Sequence, residues 1–151
     1  MSDAARARIL TLAGATTPVK AGPVPGRFDA RPGQMDARQM VGRSRVVRLG
    51  PQTTRHLPMT YAAGTRLWEA STTLTVRYDA PDGVDDEALE RAIQEDAREL
   101  VRTLTLPSNW AGAFEHITIG VEPARVVDVR GRGGARVARE LQIPLRYQFF
   151  A

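Results

Sequence analysis

Apolar residues recur every three to four positions through residues 85–104, where Leu89, Ile93 and Leu100 fall on one side of a helix. Aspartates just before this run suit a helix start, and Pro107 prevents the helix from continuing. The pattern therefore predicts one long amphipathic helix whose apolar stripe packs against the rest of the fold.

A second period, of two residues, runs through other parts of the chain. Polar and apolar positions alternate in four stretches, which predicts four strands with one apolar face each: residues 67–79, 116–121, 125–129 and 136–149. Pro144 cannot donate a ladder hydrogen bond, so the last strand is expected to lie at a sheet edge or to be bulged there. The glycine-rich residues 131–134 are typical of a hairpin tip.

The first 66 residues have a different character. Residues 1–14 favour a short helix that Gly14 ends. Residues 16–66 hold six of the ten prolines and six of the thirteen glycines. This segment is expected to be irregular apart from short extended pieces such as residues 45–49, and to be either disordered or ordered by contact with another chain.

Together these elements predict an α+β fold. Its mostly antiparallel β-sheet has one long amphipathic helix, about 85–104, packed on a face, with a short N-terminal helix and a long irregular segment rich in Pro, Gly and Arg. The 151 residues are expected to form a single domain, 1–151. Its parts are the N-terminal helix (1–14), an extended assembly-contact segment (16–66) and an α+β core (67–150).

Composition argues against several kinds of chemistry. The sequence holds no cysteine, which excludes disulfides, thiolate metal sites and a cysteine nucleophile. No run of 18 apolar residues occurs, so no transmembrane helix and no membrane partner are expected. The two histidines, His56 and His116, have no partner at metal-ligand spacing, and no nucleophile-elbow motif is present. We therefore expect no enzyme activity, no catalytic residue, no metal and no cofactor.

Charge is divided unevenly along the chain. Residues 1–60 carry ten basic and three acidic residues, a net +7, whereas residues 61–151 carry eleven basic and fourteen acidic residues, a net −3. All but one of the 21 basic residues are arginine, whose planar guanidinium suits both carboxylates and phosphates. Two roles remain open for the arginines: contact with acidic residues of a neighbouring chain, which we prefer, or contact with nucleic-acid phosphates.

The second half of the chain has a layout shared with a known family. A strand ending in LTVRY leads through a Pro/Gly/Asp turn to a helix beginning DEALERAI, and a PSNW loop, two strands and a final LQIPLRYQF strand follow. Over residues 67–150 this layout resembles the tail terminator proteins of long-tailed bacteriophages, which are also called tail-completion or minor tail proteins.

The resemblance implies a structural role in the virion. Such proteins form a hexameric ring that caps the tail tube, stops its growth and meets the head-side connector. The implied partners are other copies of the chain, the tail tube protein, the connector protein and genome DNA that passes through the lumen without sequence-specific binding. The implied location is the neck of the virion, assembled in the host cytoplasm.

Within such a ring, the arginines become candidates for a subunit interface or for the DNA lumen. The candidates are Arg43, Arg45, Arg48, Arg55 and Arg132. Two alternatives stay open: another neck component, such as a head–tail connector or a tube-like minor tail protein, and a basic nucleic-acid-binding module that uses residues 27–55.

Overall fold

The computed structural model describes residues 2–16, 28–29, 45–60, 66–79, 86–119, 125–134 and 136–151. The helices are α1 (Ser2–Ala15) and α2 (Asp86–Thr105). The strands are β1 (Phe28–Asp29), β2 (Arg45–Leu49), β3 (Thr53–Thr60), β4 (Arg66–Asp79), β5 (His116–Ile119), β6 (Arg125–Arg130) and β7 (Arg136–Phe150). Short 3-10 helices follow α2 at Pro107–Asn109 and β6 at Arg132–Gly134.

Two long strands, β4 and β7, form the centre of a single sheet. They pair antiparallel from Leu67 opposite Phe150 to Asp79 opposite Ala138. Strands β2 and β3 pair in succession with the other side of β4, and β6 and β5 pair in the same way with the other side of β7. β1 adds to β2 in parallel, so the sheet is mixed but mostly antiparallel.

The hydrophobic core lies between the sheet and the helices, which pack on the same sheet face. The buried stripe of α2 includes Leu89, Ile93 and Leu100, all fully buried as their spacing predicts. α1 contributes its own buried stripe to this core, including Ile9. Alternate positions of β4 and β7 complete it from the sheet, because successive strand residues point to opposite faces: Ala70, Leu74, Val76, Leu141, Ile143, Leu145.

The end of α2 is held by side chains of the following turn. The last carbonyls of a helix lack partners within the helix. Here the Asn109 side-chain amide donates to the Thr103 carbonyl at 3.0 Å, and the Trp110 indole N–H donates to the Leu104 carbonyl at 2.8 Å. Arg8 of α1 donates to the Asn109 carbonyl at 2.8 Å, so the same turn also ties the two helices together.

The predicted architecture was wrong in two respects. A single long helix was expected on the sheet, but two helices of 14 and 20 residues cover that face. Residues 16–66 were expected to be irregular apart from short extended pieces such as residues 45–49. That piece is β2, but β3 is a further strand of eight residues, and both pair with β4 within one chain. Gly50, between these two strands, stays bonded to β4: its N–H donates to the Thr73 carbonyl at 2.9 Å, and the Thr72 hydroxyl donates to its carbonyl at 3.0 Å.

The expectation that Pro144 marks a sheet edge or a bulge was also wrong. β7 is an inner strand, and Pro144 lies opposite Thr73 in an unbroken register with β4. On the other side of β7, the pairing with β6 ends at Gln142 and the pairing with β5 begins at Leu145. Pro144 therefore faces the gap between two short strands, where the missing N–H leaves no ladder position unfilled.

Among the described residues, no helix combines the length and the apolar character needed to cross a bilayer.

Candidate functional site

The sheet face opposite the helices carries polar and charged side chains along its middle rows, and we call it the open sheet face. Towards its ends the same face also carries Val46, Leu67 and Ala138, which are buried. No helix of the described residues lies on it. The strand register brings side chains from different strands into rows across the face, such as Thr53, Ser71, Arg146 and Thr118. Among the side chains that the structure describes, five arginines and two glutamates share this face: Arg48, Arg55, Arg77, Arg125, Arg146, Glu69 and Glu140.

The cations of this face reach further into solvent than the anions. The Arg55 and Arg146 side chains are 68% and 59% exposed, whereas Glu69 between them is only 10% exposed. Arg48 is 40% exposed beside Glu140 at 16%. The carboxylates therefore lie near the sheet surface while the longer arginine side chains extend beyond them, and the outer layer of the face is positive.

The ion pairs on the face differ in strength. Two nitrogens of Arg55, Nε and Nη2, each lie 2.8 Å from Glu69 Oε1, which makes this the tightest pair. Arg146 Nε lies 3.8 Å from the same oxygen, and Arg48 Nη2 lies 3.9 Å from Glu140 Oε1. Contacts this long at exposed positions hold a guanidinium only weakly, so Arg48 and Arg146 can engage another anion.

Arg125 adds to the positive layer, whereas Arg77 is half-buried. Arg125 Nε donates to the Gln142 side-chain oxygen at 3.2 Å, a neutral partner that leaves its charge uncompensated at this contact. Arg77 lies opposite Glu140 in the register, and the described residues offer its buried Nε no hydrogen-bond partner. Counted over the side chains that the structure describes, five guanidinium groups and two carboxylates give this face a net charge of +3.

Two adjoining grooves of about 390 and 300 Å³ lie on this face. Both are lined by Thr53, Ser71 and Arg146; the larger adds Arg55 and Glu69, and the smaller adds Pro144 with neighbouring threonines. Hydroxyl and guanidinium groups are hydrogen-bond donors at such a surface. Chemically, the arrangement suits an anionic ligand that lies along the sheet.

A second charged cluster lies on the other side of the sheet, inside the core. Arg45 Nε of β2 lies 2.6 Å from Asp96 Oδ2 of α2, and both side chains are at most 1% exposed. The Tyr78 hydroxyl of β4 donates to the same oxygen at 2.8 Å, and the Arg45 guanidinium lies 5.8 Å from the Tyr78 ring centre. Burial raises the pKa of Tyr78 far above its usual value, and the Asp96 charge raises it further.

The five predicted arginines do not form one site. Arg48 and Arg55 lie on the open sheet face. Arg132 lies exposed in the short turn between β6 and β7, and Arg43 lies outside the described residues. The prediction that Arg45 contacts another chain or DNA was wrong, because its side chain is buried and pairs with Asp96 inside the chain.

Sequence reasoning missed Arg77, Arg125 and Arg146 on the open sheet face. For β4 the sequence does indicate a polar face, because Ser71, Thr73, Thr75 and Arg77 alternate with its apolar positions. The match between β4 and β7 could not be read from the sequence, so the polar side chains of several strands could not be assembled into one surface.

No protein-family model matches the sequence, and no curated protein matches it. Within the described residues, no group of three or more His, Asp or Glu side chains is placed to hold a metal ion.

Proposed function

We propose that this chain is a virion structural protein, a tail terminator whose ring caps the tail tube of a long-tailed phage and joins it to the head-side connector. The order of elements from β4 through α2 to β5, β6 and β7 supports the proposal, because the resemblance to that family covers this same part of the chain. The proposed location is the neck of the virion, and the proposed partners are further copies of the chain, the tube protein and the connector.

The observation that carries the proposal is the pair of strand edges on opposite sides of one sheet. Among the described residues, β3 pairs only with β4 on one side, while β5 and β6 pair only with β7 on the other. A strand edge offers unpaired backbone groups to another chain. Two different edges that pair with each other make a head-to-tail contact, which closes into a ring when the rotation between subunits permits.

Assembly is tested by sizing the purified chain with light scattering over a wide range of protein concentration, followed by electron microscopy. We expect closed rings with six times the subunit mass. A chain that stays monomeric at every concentration would exclude ring formation and with it the proposed function.

Two edge variants test the head-to-tail geometry. Lysine on an edge strand opposes further strand pairing, so Thr54→Lys on β3 and Thr118→Lys on β5 should each prevent rings; both positions are exposed. Mixed together, the two variants should form dimers and nothing larger, because each retains one competent edge. Gln94→Lys on the exposed side of α2 is the matched control and should assemble normally. Rings from both edge variants would refute the edge contact.

A final assay separates a terminator from another neck component. Rings added to polymerising tube protein from the same virus should arrest tube growth and remain at one tube end. Rings that form but leave tube growth unchanged would identify a head–tail connector or a tube-like minor tail protein instead.

A further inference from the structure

We propose that the open sheet face binds the phosphate backbone of double-stranded DNA without reading base sequence. This inference deepens the proposed function, since it assigns the DNA-facing surface of the ring subunit, and it rests on that function for its biological setting. The DNA-binding property itself belongs to the described residues of one chain and can be measured separately.

The first step of the argument is the layering of charge. A polyanion that approaches this face meets the guanidinium groups first, because Arg55, Arg146 and Arg48 extend past the glutamates that neutralise them in part. An acidic surface of another protein presents scattered carboxylates, whereas duplex DNA presents one charge per about 1.7 Å of its axis. A continuous line of charge is the better complement to arginines spread over a whole sheet face.

The second step is the length of the positive layer. Arg48 and Arg125 lie in the row of Gln142, and Arg55 lies in the row of Gln148, six residues further along β7. At about 3.4 Å per residue the positive layer is roughly 20 Å long. Arg146 belongs to a row between them, four residues beyond Gln142 along β7. Such spacing allows separate phosphates of one duplex to be contacted together.

The third step concerns the groups between the arginines. Thr53, Ser71 and Thr73 line the two grooves, and hydroxyl groups donate hydrogen bonds to phosphate oxygens. These short side chains bring a backbone close to the sheet without reaching base edges in a groove. Contacts of this kind to phosphates position a duplex and carry no sequence information.

The experiment measures binding of a fluorescently labelled random-sequence duplex to the full chain by anisotropy at several salt concentrations. We count three weakly held arginines as phosphate contacts: Arg48, Arg125 and Arg146. Each neutralised phosphate contributes about −0.9 to the slope of log affinity against log salt, so three predict a slope of about −2.7 per subunit. Affinity should therefore fall roughly fortyfold between about 50 and 200 mM salt.

A triple variant removes these contacts: Arg48→Gln, Arg125→Gln and Arg146→Gln. This variant should bind the duplex weakly at every salt concentration, and its affinity should depend little on salt. The matched control removes three exposed arginines from α2 on the opposite side of the sheet: Arg91→Gln, Arg98→Gln and Arg102→Gln. This control loses the same three positive charges as the open-face variant, and we expect it to keep the wild-type slope of log affinity against log salt concentration. Circular dichroism of both variants checks that each is folded.

Three results would overturn the inference. The first is wild-type protein without measurable duplex binding at low salt. The second is equal loss of slope in the open-face variant and the α2 control, which would assign binding to net charge alone. The third is tighter binding to polyglutamate or to single-stranded DNA than to the duplex, which would make the face a surface for another partner.

Sizing the same samples keeps this inference separate from the proposed function. Rings that fail to bind DNA would contradict the DNA-binding face and leave the terminator proposal standing. DNA binding by a chain that never forms rings would support the face and reject the terminator proposal, in favour of a nucleic-acid-binding module.

Discussion

Replacing Asp96 by alanine should destabilise the protein severely, because this residue pairs with a cation inside the core. Arg45 and Asp96 are 1% and 0% exposed, and their closest nitrogen and oxygen atoms are 2.6 Å apart. Breaking a buried ion pair by removing one partner costs about 3–5 kcal/mol of unfolding free energy. The Tyr78 hydroxyl also loses its 2.8 Å acceptor, which adds about 1 kcal/mol.

The assay is urea unfolding followed by circular dichroism. In thermal unfolding of the same variant, the combined loss of about 4–6 kcal/mol corresponds to a melting temperature about 8–24 °C lower in a chain of this size. Glu99→Ala on the same helix is the surface control; its pair with Arg102 is long, at 3.8 Å, and exposed. This control should cost at most about 1 kcal/mol.

A triple variant tests whether the cost arises from an unpaired charge or from lost packing. Arg45→Met, Tyr78→Phe and Asp96→Leu together replace the cluster with apolar side chains. Buried ion pairs replaced in this way are often neutral or stabilising, so the triple variant should be more stable than Asp96→Ala alone. A cost below about 1 kcal/mol for Asp96→Ala would refute the burial of the pair.

Three further predictions concern the core. Leu100→Ala should cost about 2–5 kcal/mol in urea unfolding, because Leu100 is fully buried; a change near zero would contradict its place in the core. Burial raises the pKa of Tyr78 and Tyr147, so the unfolded state loses these protons first above about pH 10, and unfolding free energy should fall by up to about 1.4 kcal/mol per pH unit for each tyrosine. In urea titrations at rising pH, Tyr78→Phe should make the fall of unfolding free energy with pH shallower. An unchanged fall would contradict the contribution of Tyr78. Trp110→Phe keeps an aromatic ring but loses part of the indole's packing and the hydrogen bond to the Leu104 carbonyl, and thermal unfolding should report a loss of at least about 0.5–1.5 kcal/mol.

Local periodicity was the most informative part of the sequence. The spacing of Leu89, Ile93 and Leu100 identified side chains that are fully buried, because a helical face is specified by residues close in sequence. The arrangement of strands was less accessible, since pairing joins residues far apart. The inner position of β7 despite Pro144 depends on where β5 and β6 end, which no local pattern encodes.

The wrong prediction for Arg45 has a simple physical reason, because alternate residues of a strand point to opposite faces of the sheet. Arg45, Val47 and Leu49 share one strand face, and Val47 and Leu49 pack into the core, so Arg45 points there too. Asp96 likewise lies on the buried stripe of α2, three residues after Ile93. Neither Arg45 nor Asp96 reveals an ion pair when its own element is considered alone. Opposite charges on two apolar faces that both pack into the core do favour an ion pair between them. Arg48 alternates with these residues and lies on the open sheet face.

The orientation of the subunit in an assembled ring tests the central claim most directly. Electron cryomicroscopy of the purified assembly, at a resolution that separates helices from the sheet, would determine which side of the subunit faces the channel. We predict a closed ring in which the open sheet face, with Arg48, Arg125 and Arg146, lines the channel, and α1 and α2 lie on the outer side. A ring with the helices toward the channel, or subunits that never assemble, would contradict the account.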